Sequence, residues 1–105
     1  MRMWMVEPRL MCDKHLVKEH GDIHTIVWHI RARHALTGKV EPISIRSRHT
    51  QLEEEMSLRK PNTKATPLKR FTLVRKYKML IVSASASLVE LASSCKDCES
   101  KVLGE

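Results

Sequence analysis

Four apolar residues, Leu16, Ile23, Val27 and Ile30, recur at spacings of seven, four and three, the period of one face of an α-helix rather than of a strand. The run predicts a helix over about residues 13–36 and commits the chain to a helical fold. Asp13 lies in its first turn, where a carboxylate complements the helix dipole; Arg31, Arg33 and His34 crowd its end, and Gly38 supplies a stop. Gly21, in the middle, costs about 1 kcal/mol against alanine, so a packing or functional reason for it is expected. A second helix is expected over 44–59, where Ile45, His49, Leu52 and Met56 repeat at helical spacing, Glu53, Glu54 and Glu55 stay solvated, and Pro61 ends the run. A third is expected over about 85–102, with Leu88, Leu91, Ala92, Cys95 and Val102 as its stripe. Residues 61–78, with two prolines and many cations, read as a basic loop with at most a short strand or turn. The expected architecture is one all-α domain over 1–105, of about three helices with an extended N-terminus and a basic loop.

A chain of 105 residues buries only about 60–65% of its unfolded surface. That excludes a large internal cavity and several domains. Three glycines with no Gly-rich fingerprint after a strand argue against a dinucleotide-binding sheet. The apolar run Met79-Leu80-Ile81-Val82 is far short of the roughly 20 residues of a membrane span. The opening residues carry one arginine and then meet Glu7, unlike a signal peptide. An odd count of three cysteines with one CxxC fits a reducing compartment, so a cytoplasmic location is expected.

The net charge of +7 is unevenly distributed. Between Met56 and Val89 there is no acid, while Arg59, Lys60, Lys64, Lys69, Arg70, Arg75, Lys76 and Lys78 supply eight positive charges; the rest of the chain nets −1. A one-signed block of this kind is either a solvated loop or a phosphate-contacting segment whose affinity falls as salt rises.

His15, Glu19 and Asp22 share a face of the first helix, and His29 continues it. Two carboxylates and a histidine in register can form an acid/base site. Pattern alone favours the plainer reading of Lys18, Glu19 and Asp22 as solvated charges. His20 and His24 form an i, i+4 pair compatible with a metal, but there is no HExxH motif, and His20 lies beside the apolar stripe as a packed core histidine would. Cys12-x2-His15 and Cys95-x2-Cys98 together offer three sulfurs and one nitrogen, the donor set of a structural zinc site. The competing reading is three buried thiols acting as small hydrophobes.

The opening Met1-Arg2-Met3-Trp4-Met5, the segment from Cys12 through Lys18-Glu19-His20-Gly21-Asp22 to His24, and Arg48-His49-Thr50-Gln51-Leu52-Glu53-Glu54-Glu55-Met56 resemble the pyrimidine-dimer DNA glycosylase family, nearest to its short microbial branch. The stretch 59–66 looks like that branch's RG-N-H-K-S-P loop, with Thr63 and Thr66 in place of its His and Pro, and the Cys95-x2-Cys98 tail is similar too. The resemblance implies an all-α DNA repair enzyme, a glycosylase with an associated abasic-site lyase. It implies the α-amine of Met1 as nucleophile, Asp22 at the position of the family's catalytic glutamate, and His15 at that of its helix histidine. DNA contacts are expected from Arg2, His15, Arg48, His49, Lys64, Lys69 and Arg70, and metal ligation from Cys12, Cys95 and Cys98. Double-stranded DNA with damaged bases is the implied partner of a monomeric protein, and catalysis itself needs no cofactor. The alternative is a non-catalytic, basic helical nucleic-acid-binding protein stapled by zinc.

Overall fold

The computed structural model describes residues 1–36, 38–59 and 67–104. Five helices follow one another among them: α1 (Asp13–Arg31), α2 (Ile45–Arg59), α3 (Arg75–Lys78), α4 (Ala84–Ser94) and α5 (Lys96–Leu103). Single 3-10 turns at Pro8–Leu10 and Pro42–Ser44 lead into α1 and α2. No strand occurs among the described residues. The chain forms a slab of 40 × 29 × 17 Å.

The predicted stripe of α1 is its buried face, with Ile26 added: Leu16, Ile23, Ile26, Val27 and Ile30 are all nearly inaccessible. The helix stops five residues before the expected end. His34 N–H donates to the carbonyl of His29 and Arg33 N–H to that of Ile30, the paired bonds of a Schellman cap. Arg33 occupies the left-handed position at φ +62° that glycine usually takes. Gly38, expected as the stop, instead turns the chain at φ +87° on its way to Val40. A Cβ on Gly21 would meet nothing within 4 Å, so packing does not demand that glycine.

Residues 1–6 form neither helix nor strand, with Met5 in the left-handed region at φ +59°, and are tied by the Met3 N–H to the Lys39 carbonyl at 2.8 Å, with Met3, Trp4 and Val6 buried. The α1–α2 pair forms the centre. Glu19 and Arg48, one on each helix, are 0% and 1% exposed and meet in a two-pronged ion pair of 2.5 and 2.8 Å. Arg48 also donates to the Val6 carbonyl at 2.6 Å, which ties the N-terminal segment to both helices. The solvated reading of Lys18, Glu19 and Asp22 is therefore corrected. Only Lys18 is exposed, because the polar stripe of α1 faces α2 and the N-terminal segment rather than water. Glu53 and Glu55 are likewise half-buried partners of His20 and Arg59, while Glu54 is exposed as expected.

The single third helix is corrected to two. Cys95 takes extended angles (φ −139°, ψ 116°) and breaks the run into α4 and α5. The break turns Cys95 and Cys98 toward Cys12. The Ser83 hydroxyl caps α4 by accepting from the Ala86 N–H at 3.2 Å. In the basic segment, residues 61–66 lie outside the described residues. Beyond them Leu68, Phe71, Leu73 and Val74 pack against the core, and the single turn α3 buries Tyr77, whose hydroxyl donates to the His34 carbonyl at 2.7 Å. Apolar residues at these intervals anchor the segment while its cations remain outside.

Removing one member of the Glu19–Arg48 pair leaves a buried charge uncompensated. Arg48→Ala or Glu19→Ala should cost about 3–5 kcal/mol in urea unfolding, while the double variant Glu19→Leu/Arg48→Met should recover most of it.

Candidate functional site

Asp22 lies on α1 with only 12% of its side chain exposed. One carboxylate oxygen accepts the backbone N–H of Arg2 at 3.1 Å, and the other accepts from the Lys18 ammonium at 2.6 Å. The α-amino end of the chain is one residue from that contact, and Met1 is 45% exposed. The structure thus brings together the amine end and the carboxylate that lie 20 residues apart in sequence.

Arg2 fixes this approach. Its guanidinium carbon sits 3.5 Å from the centroid of the Trp4 ring, a cation–π geometry. The same group pairs with Glu90 of α4 at 2.9 Å and reaches Ser87 Oγ at 3.4 Å. Lys39 holds the second Glu90 oxygen at 2.6 Å. Hydrogen bonds from Arg2 and Lys39 hold the Glu90 carboxyl down at about 2, below its ordinary 4.5. Glu90 had no signal in the sequence: it is one acid on an otherwise apolar and small-residue helix, and only the fold carries it to Arg2.

His15 does not stand with Asp22. Its Nδ1 is 3.2 Å from Cys12 Sγ and 3.5 Å from Cys98 Sγ, and Cys12 Sγ is 3.9 Å from Cys95 Sγ. Ligand atoms of all four residues lie within 4.8 Å of one another, a group able to hold a metal ion. The backbone N–H of Cys12 donates to Cys98 Sγ at 3.3 Å. Burial pushes the Cys98 thiol up to about 12, whereas a backbone N–H from Cys98 lowers Cys95. Burial also lowers His15, with Lys14 adding to the effect. His15 meets the site's other side through Trp4, edge to face at 5.6 Å. Trp4 is therefore sandwiched between Arg2 and His15, a link that sequence spacing does not reveal.

Two expected DNA contacts are corrected. Arg48 is committed to Glu19 and the Val6 carbonyl inside the core. His49 is 6% exposed and faces His20, His24 and Glu53. Both fall on the α2 face that packs on α1, because helical periodicity places 48 and 49 beside 45 and 52. Lys64 lies outside the described residues. Lys69 and Arg70 are exposed. Arg70 shares a groove with Arg31, Arg33, Arg46 and Phe71, and Lys69 one with His24, Trp28 and Arg31. The cations of 67–78 thus join arginines of α1, α2 and the α1 cap that the charge count had assigned to a near-neutral body. Arg59 leaves the patch: it caps the pairing of α2 with the N-terminal turn through Glu55, Asp13 and the carbonyls of Met11 and Pro8.

The described residues thus form an all-α fold with a carboxylate beside the amino end and a cationic flank. The family model for pyrimidine dimer DNA glycosylase matches residues 1–67, more than half the chain, and the chain belongs to that family. No curated protein and no solved structure matches it. The matched span holds Met1, Asp22, Cys12 and His15, whereas Glu90, Cys95 and Cys98 lie beyond it.

The Glu90 shift carries a sign. A carboxyl whose folded pKa lies below its unfolded value contributes stability above about 4.5, and that contribution is lost as pH falls toward about 2. A carbon-13 NMR titration should show a Glu90 midpoint near 2 that returns toward 4.5 in Lys39→Ala/Arg2→Ala; a normal midpoint in the native protein would show that the two cations do not hold it.

Proposed function

We propose that the protein is a DNA glycosylase with associated abasic-site lyase activity on pyrimidine-dimer DNA, acting through the α-amine of Met1. The observation that carries this reading is the Asp22 carboxylate bonded to the N–H of Arg2, one residue from that amine. The neutral form of an amine carries the lone pair that a nucleophile needs. A neutral amine attacks C1′ of the damaged nucleotide; the C1′–N bond breaks and the base leaves with the bonding pair. Loss of a proton from nitrogen and opening of the sugar give an imine between the chain and C1′. The imine acidifies C2′, and removal of that proton expels the 3′ phosphate by β-elimination. Asp22 supports the cationic, oxocarbenium-like sugar and relays protons. Lys18, on its other oxygen, holds the carboxylate in register.

DNA is gripped by Lys69, Arg70 and the neighbouring arginines, with Arg2 beside the reacting centre. The lesion is reached by unstacking the duplex, which a small basic domain does through phosphate contacts. No helix among the described residues is long and apolar enough to cross a membrane, and three free cysteines suit a cytoplasmic, reducing setting.

Borohydride trapping on dimer-containing or abasic DNA tests this mechanism. A covalent adduct should form, should vanish when residues are fused ahead of Met1, and should drop by at least about a hundredfold in Asp22→Asn with DNA affinity kept. Trapping that survives the extension would remove Met1 from the reaction, and binding without any adduct would favour a non-catalytic DNA-binding protein.

The four residues Cys12, His15, Cys95 and Cys98 form, in this reading, a structural zinc site. With Zn–S of about 2.3 Å and Zn–N of about 2.0–2.1 Å, a tetrahedron has edges of about 3.8 Å between sulfurs and about 3.6 Å from sulfur to nitrogen. The separations of 3.9 Å between Cys12 and Cys95 and 3.5 Å from Cys98 to His15 lie near those edges, while Cys12 and His15, at 3.2 Å, stand closer than a bound ion would hold them. Four protein ligands leave no open position, so the ion staples α5 to the start of α1 and takes no part in the chemistry. Replacing zinc with Co²⁺ should give a thiolate-to-metal charge-transfer band that Cys95→Ser weakens, and chelation should lower the thermal midpoint; a metal-free protein of equal stability would leave three packed thiols.

A further inference from the structure

One cluster of side chains plays no part in that chemistry. His20 and His24 lie one turn apart on α1 and face His49 and Glu53, one turn apart on α2. Nε2 of His24 and Nε2 of His49 are 3.3 Å apart. Glu53 Oε2 lies 3.2 Å from Nε2 of His20 and 3.5 Å from Nε2 of His49. Ligand atoms of the three imidazoles all fall within 4.8 Å of one another. The rings of His20 and His49 stack at 4.8 Å, and His24 stands edge-on to both at 5.0 and 5.1 Å. His20 and His49 are buried, His24 is half-buried, and 28% of the Glu53 side chain is exposed.

We propose that His20, His24 and His49 form a second metal site, with the Glu53 carboxylate supporting it from beside His20 and His49, taking a first-row divalent transition-metal ion such as Zn²⁺. Three imidazoles converging through ring nitrogens are a costly way to fill a helix interface, because each neutral ring offers one N–H and one lone pair, and apolar residues would pack there without polar atoms to satisfy. An ion resolves the arrangement by taking one lone pair from each ring, with the carboxylate beside the rings offsetting its charge. Tetrahedral coordination with bonds of about 2.0–2.1 Å gives ligand–ligand edges of about 3.3–3.4 Å. The 3.3 Å between Nε2 of His24 and Nε2 of His49 fits such an edge, and Glu53 Oε2, at 3.2 and 3.5 Å from Nε2 of His20 and His49, places a negative charge beside the ion. Three nitrogens select Zn²⁺, Co²⁺, Ni²⁺ or Cu²⁺ over Mg²⁺ and Ca²⁺, which prefer oxygen.

The position says what the ion does. Residues 20 and 49 directly follow the Glu19–Arg48 pair, so the metal and the ion pair sit side by side across the same α1–α2 contact. Pro67 and Leu68 line the groove over His49 and Glu53. Its ligands come from both helices, so the ion clamps α1 to α2. It shares no residue with the Cys12–His15–Cys95–Cys98 group, and the catalytic reading does not depend on it.

Titration of the metal-free protein with Co²⁺, followed by visible absorption and equilibrium dialysis, tests the site. His24→Gln should take up one equivalent less than the native chain, losing d–d absorption that has no thiolate charge transfer. Glu53→Gln should keep the stoichiometry and weaken that equivalent at least about tenfold, in the range seen when supporting ligand groups are removed. Metal-free His24→Gln should melt with the metal-free native protein, while added Zn²⁺ should raise the midpoint of the native protein further than that of the variant. Equal uptake and equal spectra for native protein and His24→Gln would overturn the proposal. Because the reading is a difference between the two proteins, failure of the cysteine site would lower both totals and leave the difference intact.

Discussion

The bidentate contact between Arg48 and Glu19 is the constraint on which the rest of the structure depends. It is nearly inaccessible and joins three parts of the chain, α1, α2 and, through the Val6 carbonyl, the N-terminal segment. Desolvating two charges is costly, and this geometry offsets the cost by giving both carboxylate oxygens and most guanidinium N–H groups a partner. An apolar replacement would fill the same volume without fixing rotation of one helix against the other. The ion pair fixes that rotation, and so sets which face of α1 is turned toward the chain's amino end and which toward the histidines of α2.

Two consequences run along α1 in opposite directions. On one side Asp22 receives the Arg2 N–H, and Arg2 is held by Trp4 and Glu90. On the other side His20 and His24 meet His49 and Glu53. The end of α1 nearest the amino terminus carries Cys12 and His15, which gather α5. A domain this small has a limited apolar core, and polar and thiol clusters at three points around one helix compensate for it. The segment beyond the family match supplies Glu90, Cys95 and Cys98. The far part of the chain thus buttresses the amine end although the family match covers only residues 1–67.

The helical class was legible because a 3.6-residue apolar period has one local cause, and Leu16, Ile23, Val27 and Ile30 each fall on the buried face. Gathering Cys12-x2-His15 with Cys95-x2-Cys98 was legible from donor type and spacing. The misreadings share a cause. Glu19, Arg48 and His49 carry charge or polarity, and local pattern puts such residues on a solvated face or on DNA. Their burial depends on each finding its complement across the α1–α2 contact, which spacing within one helix does not encode. The early end of α1 was hidden for a related reason: Arg33 takes the left-handed backbone position without being glycine. The break at Cys95 was hidden because an extended residue that orients two sulfurs looks, in sequence, like one more position on a stripe.

By itself, the sequence determined the all-α class, the two long helices, the cationic run after α2, the donor set of the cysteine cluster and the family to which the chain belongs. These rest on periodicity, composition and short spacings, which act between neighbours in the chain. Only the tertiary structure decided that Asp22 meets the Arg2 N–H, that Glu90 restrains Arg2, that Arg48 is a core residue, and that three histidines and a glutamate converge between α1 and α2. Those contacts join residues between 20 and 88 positions apart. Their formation depends on how two helices rotate against each other to satisfy buried charge, a property of the packed whole rather than of any local run.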